Sequence, residues 1–239
     1  MERRERFEID IQAGREAVWE RLTTAEGLAS WFGTWAEIDL RIGGERVVGW
    51  GDVMQFGGTI SDLEPGRRIR VVYVADGEST GAEEWLLTHD RGVTRLTLIQ
   101  SISDDGIDDW DGFFGDVRRG WGLFMASMRH GLEGAAAANR TAECVYIPAP
   151  MAREEIWRRV QSALAGAKAV EGLVPALVIP PHSRLLVASD RTLLLDAEGS
   201  GDGQVLYAQA ATHGDWVSEQ AATWRRDALE FAAKSIDDA

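Results

Sequence analysis

Apolar and polar residues alternate over Phe7-Glu-Ile-Asp-Ile, the pattern of a strand with one buried face, and Arg15 to Thr23 then gathers Val18, Trp19 and Leu22 at helical spacing. A second short helix is predicted over Gly27 to Phe32, with Leu28, Trp31 and Phe32 on one side, and Gly43-Gly44 offers the positive φ of a hairpin turn. From there the pattern switches to strands. Segments at Glu45–Trp50, Val53–Leu63, Arg68–Ala75, Ala82–Thr88 and Thr94–Ser101 are rich in β-branched or aromatic residues, and turn signals at Glu64-Pro-Gly, Asp76-Gly and Asp90-Arg-Gly separate them. Consecutive strands with short turns predict an antiparallel meander. Beyond an Asp-rich loop, Val117, Trp121, Phe124, Met125, Met128 and Leu132 recur at spacings of three and four, as one apolar face of a long closing helix. These elements bury their apolar faces only if the sheet wraps around that helix, which predicts an α+β helix-grip fold: a curved antiparallel sheet around a long C-terminal helix. One helix does not fill the concave side of a bent sheet, so a pocket between them is expected.

The small-residue stretch Gly134-Ala-Ala-Ala-Ala-Asn marks a boundary, giving domains at 1–134 and 140–239. In the second half, Tyr146-Ile-Pro-Ala-Pro-Met-Ala-Arg-Glu-Glu-Ile-Trp-Arg-Arg-Val parallels Ile9 to Leu22, and Thr223-Trp-Arg-Arg-Asp-Ala-Leu-Glu-Phe parallels the helix around Trp121. Between them, Ala176–Ile179, Arg184–Ser189, Thr192–Asp196 and Gln204–Thr212 read as short strands, with Gly199-Ser-Gly-Asp-Gly as a turn. The anchors stand closer together than in the first half. A second, shorter α+β domain is therefore expected, either a degenerate repeat of the first or an unrelated tail.

The segment from Ile9 through Trp31-Phe-Gly, then Asp39-Leu-Arg-Ile-Gly-Gly, Leu63-Glu-Pro-Gly-Arg-Arg-Ile, Gly92-Val-Thr-Arg-Leu-Thr-Leu and Gly120-Trp-Gly-Leu, resembles the START-like (SRPBCC) superfamily. Within it, the resemblance is strongest to the branch named after the C-terminal domain of the activator of the heat-shock protein 90 ATPase, and it covers nearly all of residues 5–133. The resemblance implies the same helix-grip fold and a hydrophobic cavity, which the superfamily uses for lipids, hormones or polyketide intermediates. In the chaperone activator a separate N-terminal domain makes much of the chaperone contact. No such domain fits before Phe7, so chaperone activation is not expected.

Composition narrows the function classes. The 239 residues are 45% hydrophobic and 27% charged, as in an ordinary globular protein. The net charge of −14 would repel a polyanion, and no basic stripe offsets it, so no nucleic-acid partner is expected. No apolar run approaches the roughly 20 residues of a membrane span, and the charged start, Met1-Glu-Arg-Arg-Glu-Arg-Phe, does not read as a signal peptide; a cytoplasmic protein is expected. The single Cys144 excludes an internal disulfide and reads as a packed small hydrophobe. His89, His130, His182 and His213 are scattered without metal-ligand spacing, there is no Gly-x-Ser-x-Gly elbow, and no phosphate-cradling glycine loop is present. The run Ser103 to Asp116 holds six aspartates but does not match a calcium loop and lacks its closing Glu. Neither a metal nor a cofactor is expected.

Ten tryptophans are many for this length. Trp19, Trp121, Trp157 and Trp224 fall on core faces. The residues expected to line the cavity are Trp31, Phe32 and Trp35 after the short helix, Trp50, Met54 and Phe56 on the first hairpin, Trp85 on a later strand, and Met125 and Met128 on the long helix. Trp110, Phe113 and Phe114 are expected to cap its mouth. The leading expectation is binding of a small hydrophobic or amphipathic ligand, without catalysis. Two rivals are an enzyme of the polyketide cyclase or aromatase type, with Glu84, His89 or Asp52 as acid or base, and a cochaperone-like module whose acidic surface meets a protein partner or a second copy of the chain.

Overall fold

In the computed structural model, the structure describes residues 2–75, 78–103, 110–134, 140–179, 182–198, 204–213 and 218–237. The expected turn at Asp76-Gly77, most of the acidic loop (104–109), the boundary from 135 to 139 and the glycine turn at 199–203 lie outside them. The chain forms two compact units: residues 1–110 with 128–135, and residues 111–127 with 136–239.

Unit 1 is built on a seven-stranded antiparallel sheet. Its strands are β1 (Glu2–Ile11), β2 (Trp35–Ile38), β3 (Glu45–Trp50), β4 (Met54–Glu64), β5 (Arg68–Ala75), β6 (Glu78–Asp90) and β7 (Val93–Ser103), in the order β1-β7-β6-β5-β4-β3-β2. The first strand pairs with the last along its whole length, from Glu2 opposite Ser103 to Ile11 opposite Thr94, and the remainder runs back as a meander. Hairpins turn where residues accept a positive φ, at Gly43, Gly66 and Arg91-Gly92. Bulges between Ile60 and Asp62 on β4 and between Ser79 and Gly81 on β6 bend the sheet.

Helices α1 (Arg15–Thr23) and α2 (Ala25–Ala29) follow β1, separated by Thr24, whose hydroxyl accepts from the Gly27 amide at 2.9 Å and caps α2. They cover one face of the sheet with Val18, Leu22, Leu28 and Trp31, which bury against inward residues such as Ile69, Val71, Trp85, Leu96 and Leu98. The opposite face carries arginine and carboxylate pairs. Arg95 forks onto Asp10 at 2.7 and 2.8 Å, and Arg68 meets Glu84 and Asp62 at 2.6 Å each.

Unit 2 has a five-stranded antiparallel sheet of β8 (Arg140–Pro148), β9 (Val174–Ile179), β10 (Ser183–Val187), β11 (Arg191–Glu198) and β12 (Val205–His213), in the order β8-β12-β11-β10-β9. This is the weave of unit 1 without the equivalents of β2 and β3: first strand against last, then a meander, with α4 (Arg153–Leu164) after the first strand and α5 (Ser218–Asp237) at the end. The shorter repeat read from the sequence is therefore a helix-grip sheet lacking its far two strands. Leu193, Leu195, Ala197, Leu206, Ala208 and Ala210 face α4 and α5, meeting Ile156, Trp157, Val160, Ala228, Ala232 and Ile236 in one continuous core.

The long helix α3 (Trp110–Glu133) divides between the units, residues 111–127 counting with unit 2. There Phe124 packs on Tyr207 with ring centroids 6.5 Å apart, Arg119 approaches Asp196 at 3.6 Å, and Asp116 pairs with both Arg119 and Arg153. No helix among the described residues is long and apolar enough to cross a membrane.

Candidate functional site

On β3, Arg46, Val48 and Trp50 share one face, and they point to the same side as Glu83 and Trp85 on β6 and Val71 on β5. This inner face is the one covered by α1 and α2, and it holds five of the expected lining residues together. Trp85 is fully buried and meets Trp31 edge-on at 5.8 Å. Trp31 stacks on Phe32 at 5.1 Å, Phe32 meets Trp50 edge-on at 4.9 Å, and Trp50 meets Phe56 at 5.8 Å. The rings form a ladder whose deep end is Trp85 and whose outer end, Phe56, is 52% exposed. The Trp31 indole is fixed by its Nε1–H donating to the Arg21 carbonyl at 2.9 Å.

The deep end is polar. Arg46 Nη1 donates to Glu83 Oε2 at 2.9 Å, and Trp85 Nε1 donates to the same oxygen at 3.2 Å. Both charged side chains are buried, Arg46 with 3% and Glu83 with 6% of the side chain exposed. Burial works against the guanidinium charge, but Glu83 and Tyr73 more than offset it and hold the Arg46 pKa above its ordinary value. The Tyr73 hydroxyl, beside both charges, is pushed well up by burial and by Glu83. Arg46 stands opposite Gly58 on β4, and a Cβ there would come within 2.6 Å of Val71 and 3.0 Å of Tyr73, so the glycine is required beneath the pair.

The other expected residues stand outside this run of rings. Trp35 packs over the bare Cα of Gly49, on the opposite side of β3 from Trp50, with its Nε1–H on the Gly51 carbonyl at 3.0 Å. Met54 is half-buried opposite Trp50 in the β3–β4 register. Trp110 lies under the Arg3 guanidinium at 5.3 Å. Met128 is buried within unit 1, whereas Met125, Phe113 and Phe114 belong to unit 2, the two phenylalanines edge to face at 5.5 Å. The acid and base candidates of the enzyme reading are dispersed: Glu84 binds Arg68 on the outer face, His89 Nδ1 shares a hydrogen bond with Thr94 Oγ1, and Asp52 is exposed. Sequence reading missed Arg46 and Glu83. The shared parity of Arg46, Val48 and Trp50 was the available signal.

Unit 2 carries a surface groove of about 390 Å³ lined by Arg158, Arg159, Ser162, Ala163, Phe231, Lys234 and Ser235. Its cations are already engaged, Arg158 and Arg159 by Glu155 and Lys234 by Glu230. Among the described residues no three metal-ligating side chains cluster. Burial pushes the Cys144 thiol up to about 11, which leaves it un-ionised and unreactive at neutral pH.

The sequence model of the family described as activator of Hsp90 ATPase homolog 1-like protein matches residues 12–133, the stretch that builds nearly all of unit 1 and the whole of α3. The chain belongs to that family. With the family comes membership of the START-like superfamily, in agreement with the fold. No curated protein matches the chain. Among solved structures, the activator-family chain is similar to the Aha1 dimer from Colwellia psychrerythraea (18% identity over 55% of this chain and 96% of that one, TM-score 0.47). It is also similar to the di-domain ARO/CYC BexL of the BE-7585A biosynthetic pathway (13%, 98% and 99%, TM-score 0.48) and to DynU16 from the dynemicin biosynthetic locus (18%, 98% and 97%, TM-score 0.46).

Proposed function

We propose that this activator-family protein binds a small hydrophobic or amphipathic ligand along the inner face of the unit 1 sheet, on the rings of Trp31, Phe32, Trp50, Phe56 and Trp85. The observation that supports it is the ladder itself, which runs from a fully buried indole to a half-exposed phenyl ring and so joins solvent to the interior by apolar steps. Aromatic faces bind apolar and conjugated molecules with little loss of side-chain entropy. We read the protein as cytoplasmic, in keeping with its one, half-buried cysteine. Nucleic acid is not proposed as a partner for a chain of net charge −14.

Dodecan-1-ol titrated into the purified full chain should quench tryptophan fluorescence saturably, and native mass spectrometry should show one bound molecule. Phe56→Asp, at the exposed end where the fold tolerates charge, should weaken uptake about tenfold by putting a desolvated carboxylate in the ligand's path. Uptake unchanged in both Phe56→Asp and Trp50→Leu would rule the ladder out as the site.

A further inference from the structure

The Arg46 guanidinium uses only one of its edges. Nη1 is spent on Glu83, while Nε and Nη2 are buried and, among the described residues, have no hydrogen-bond partner, although the Tyr73 hydroxyl stands close enough to help raise the Arg46 pKa. Among the described residues, Arg46 is the one arginine whose Nε and Nη2 are both left so. These two donors lie parallel on the side edge of the guanidinium, the edge that grips both oxygens of a carboxylate. The same molecule shows the filled version twice: Arg95 places Nε and Nη2 on the two oxygens of Asp10 at 2.7 and 2.8 Å, and Arg158 places them on Glu155 at 2.8 and 2.6 Å. It also shows one guanidinium serving two carboxylates at once, Arg68 with Glu84 and Asp62.

We propose that the free edge of Arg46 anchors the carboxylate of an amphipathic ligand at the deep end of the aromatic ladder. The inference rests on the ladder being a ligand site and adds the chemical class of what enters it. Glu83 fixes the guanidinium through Nη1 and shares the same Oε2 with Trp85 Nε1, so one carboxylate oxygen links the guanidinium to the innermost ring. An apolar tail would then lie outward along Trp31, Phe32 and Trp50. Two buried N–H donors left empty would cost free energy that a carboxylate recovers with one charged oxygen for each, whereas an alcohol offers both donors a single, neutral oxygen.

The test is a matched set of probes on the full chain, dodecanoate, methyl dodecanoate and dodecan-1-ol, measured by calorimetry and by the ¹⁵N resonance of Arg46 Nε. Dodecanoate should bind about tenfold or more tightly than the other two and shift the Nε resonance, which dodecan-1-ol should leave in place. Arg46→Gln should bring the three affinities together while dodecan-1-ol binding persists, and Arg46→Lys, which keeps the charge without the fork, should restore only part of the preference. The wild-type probe comparison and the resonance shift need no variant, so a misfolded Arg46→Gln leaves the proposal open to refutation. Equal affinities for all three probes in the wild type, or a dodecanoate preference that survives in folded Arg46→Gln, would overturn the anchor and leave the ladder standing. Failure of all three probes to bind would overturn the ladder, and the anchor with it.

Discussion

Units 1 and 2 weave their strands alike, first against last and then back in a meander, yet their helix-covered faces hold different contents. In unit 1 that face carries large rings and a buried Arg46–Glu83 pair. In unit 2 it carries leucines and alanines, with Ala197, Ala208 and Ala210 of the sheet facing Ala228 and Ala232 of α5. Small residues on both sides let helix and sheet approach closely and fill the space between them. Unit 2 keeps an ion pair at the margin of that face too, Arg225 of α5 donating to Glu143 and to Thr212 at 2.8 Å each, and places other charges on the opposite face, where Asp196 accepts from Ser183 at 2.6 Å and stands near Arg119. One topology thus holds a ladder of rings ending on a deeply buried ion pair in unit 1 and a core of small aliphatic residues in unit 2, according to the bulk and polarity of a handful of inward positions.

The contrast can be broken most forcefully at the ion pair. Glu83→Ala leaves Arg46 buried without a counter-charge and should cost about 3–5 kcal/mol of unit 1 stability by urea denaturation, whereas Arg46→Met combined with Glu83→Leu should recover most of it. A closed core is instead sensitive to added bulk. Ala210→Leu should lower the stability of unit 2 by about 1–3 kcal/mol, with the unit 1 fluorescence transition unmoved.

Proton linkage separates the units again, at a similar size. Burial, reinforced by Asp196, pushes the Glu198 carboxyl from 4.5 up to about 7. Between those values the folded chain holds a proton that the unfolded chain has released. Unit 2 stability should therefore fall as pH rises from about 4.5 to 7, by on the order of 3 kcal/mol, and flatten above; Glu198→Gln should remove most of that slope. Asp196, whose pKa burial also raises, acts in the same direction. The smallest effect belongs to the exposed fork on the outer face of unit 1, where Arg95→Gln should leave the urea midpoint almost unmoved.

Much of this architecture is legible along the chain. Helix α1 and strands β3 and β5 fall where periodicity puts them, and the missing middle of the repeat corresponds to strands β2 and β3. Strand β2 itself was not legible: its four residues, Trp35–Ile38, are too few for an alternation to register, and among the described residues it pairs with one strand, β3, at the sheet edge. The start of α3 was hidden because Gly112, Gly115 and the aspartates read as loop, although Trp110–Val117 is helical. The aromatic half of the site was visible because large rings near a hairpin stand out. Its ionic half was not, since a charged residue in a strand reads as solvent-facing, and the partner that reverses that reading, Glu83, lies 37 positions away.

The pairing of β1 with β7 also governs how the protein is made. The ten residues of β1 are made before the rest of unit 1, and their strand partner among the described residues ends at Ser103, so the strand waits as an unpaired edge while the intervening meander is synthesised. The same delay recurs between β8 and β12. A nascent chain cut short before Ser103 has a sheet whose opening strand is incompletely paired, and completion of each unit is timed by its last strand.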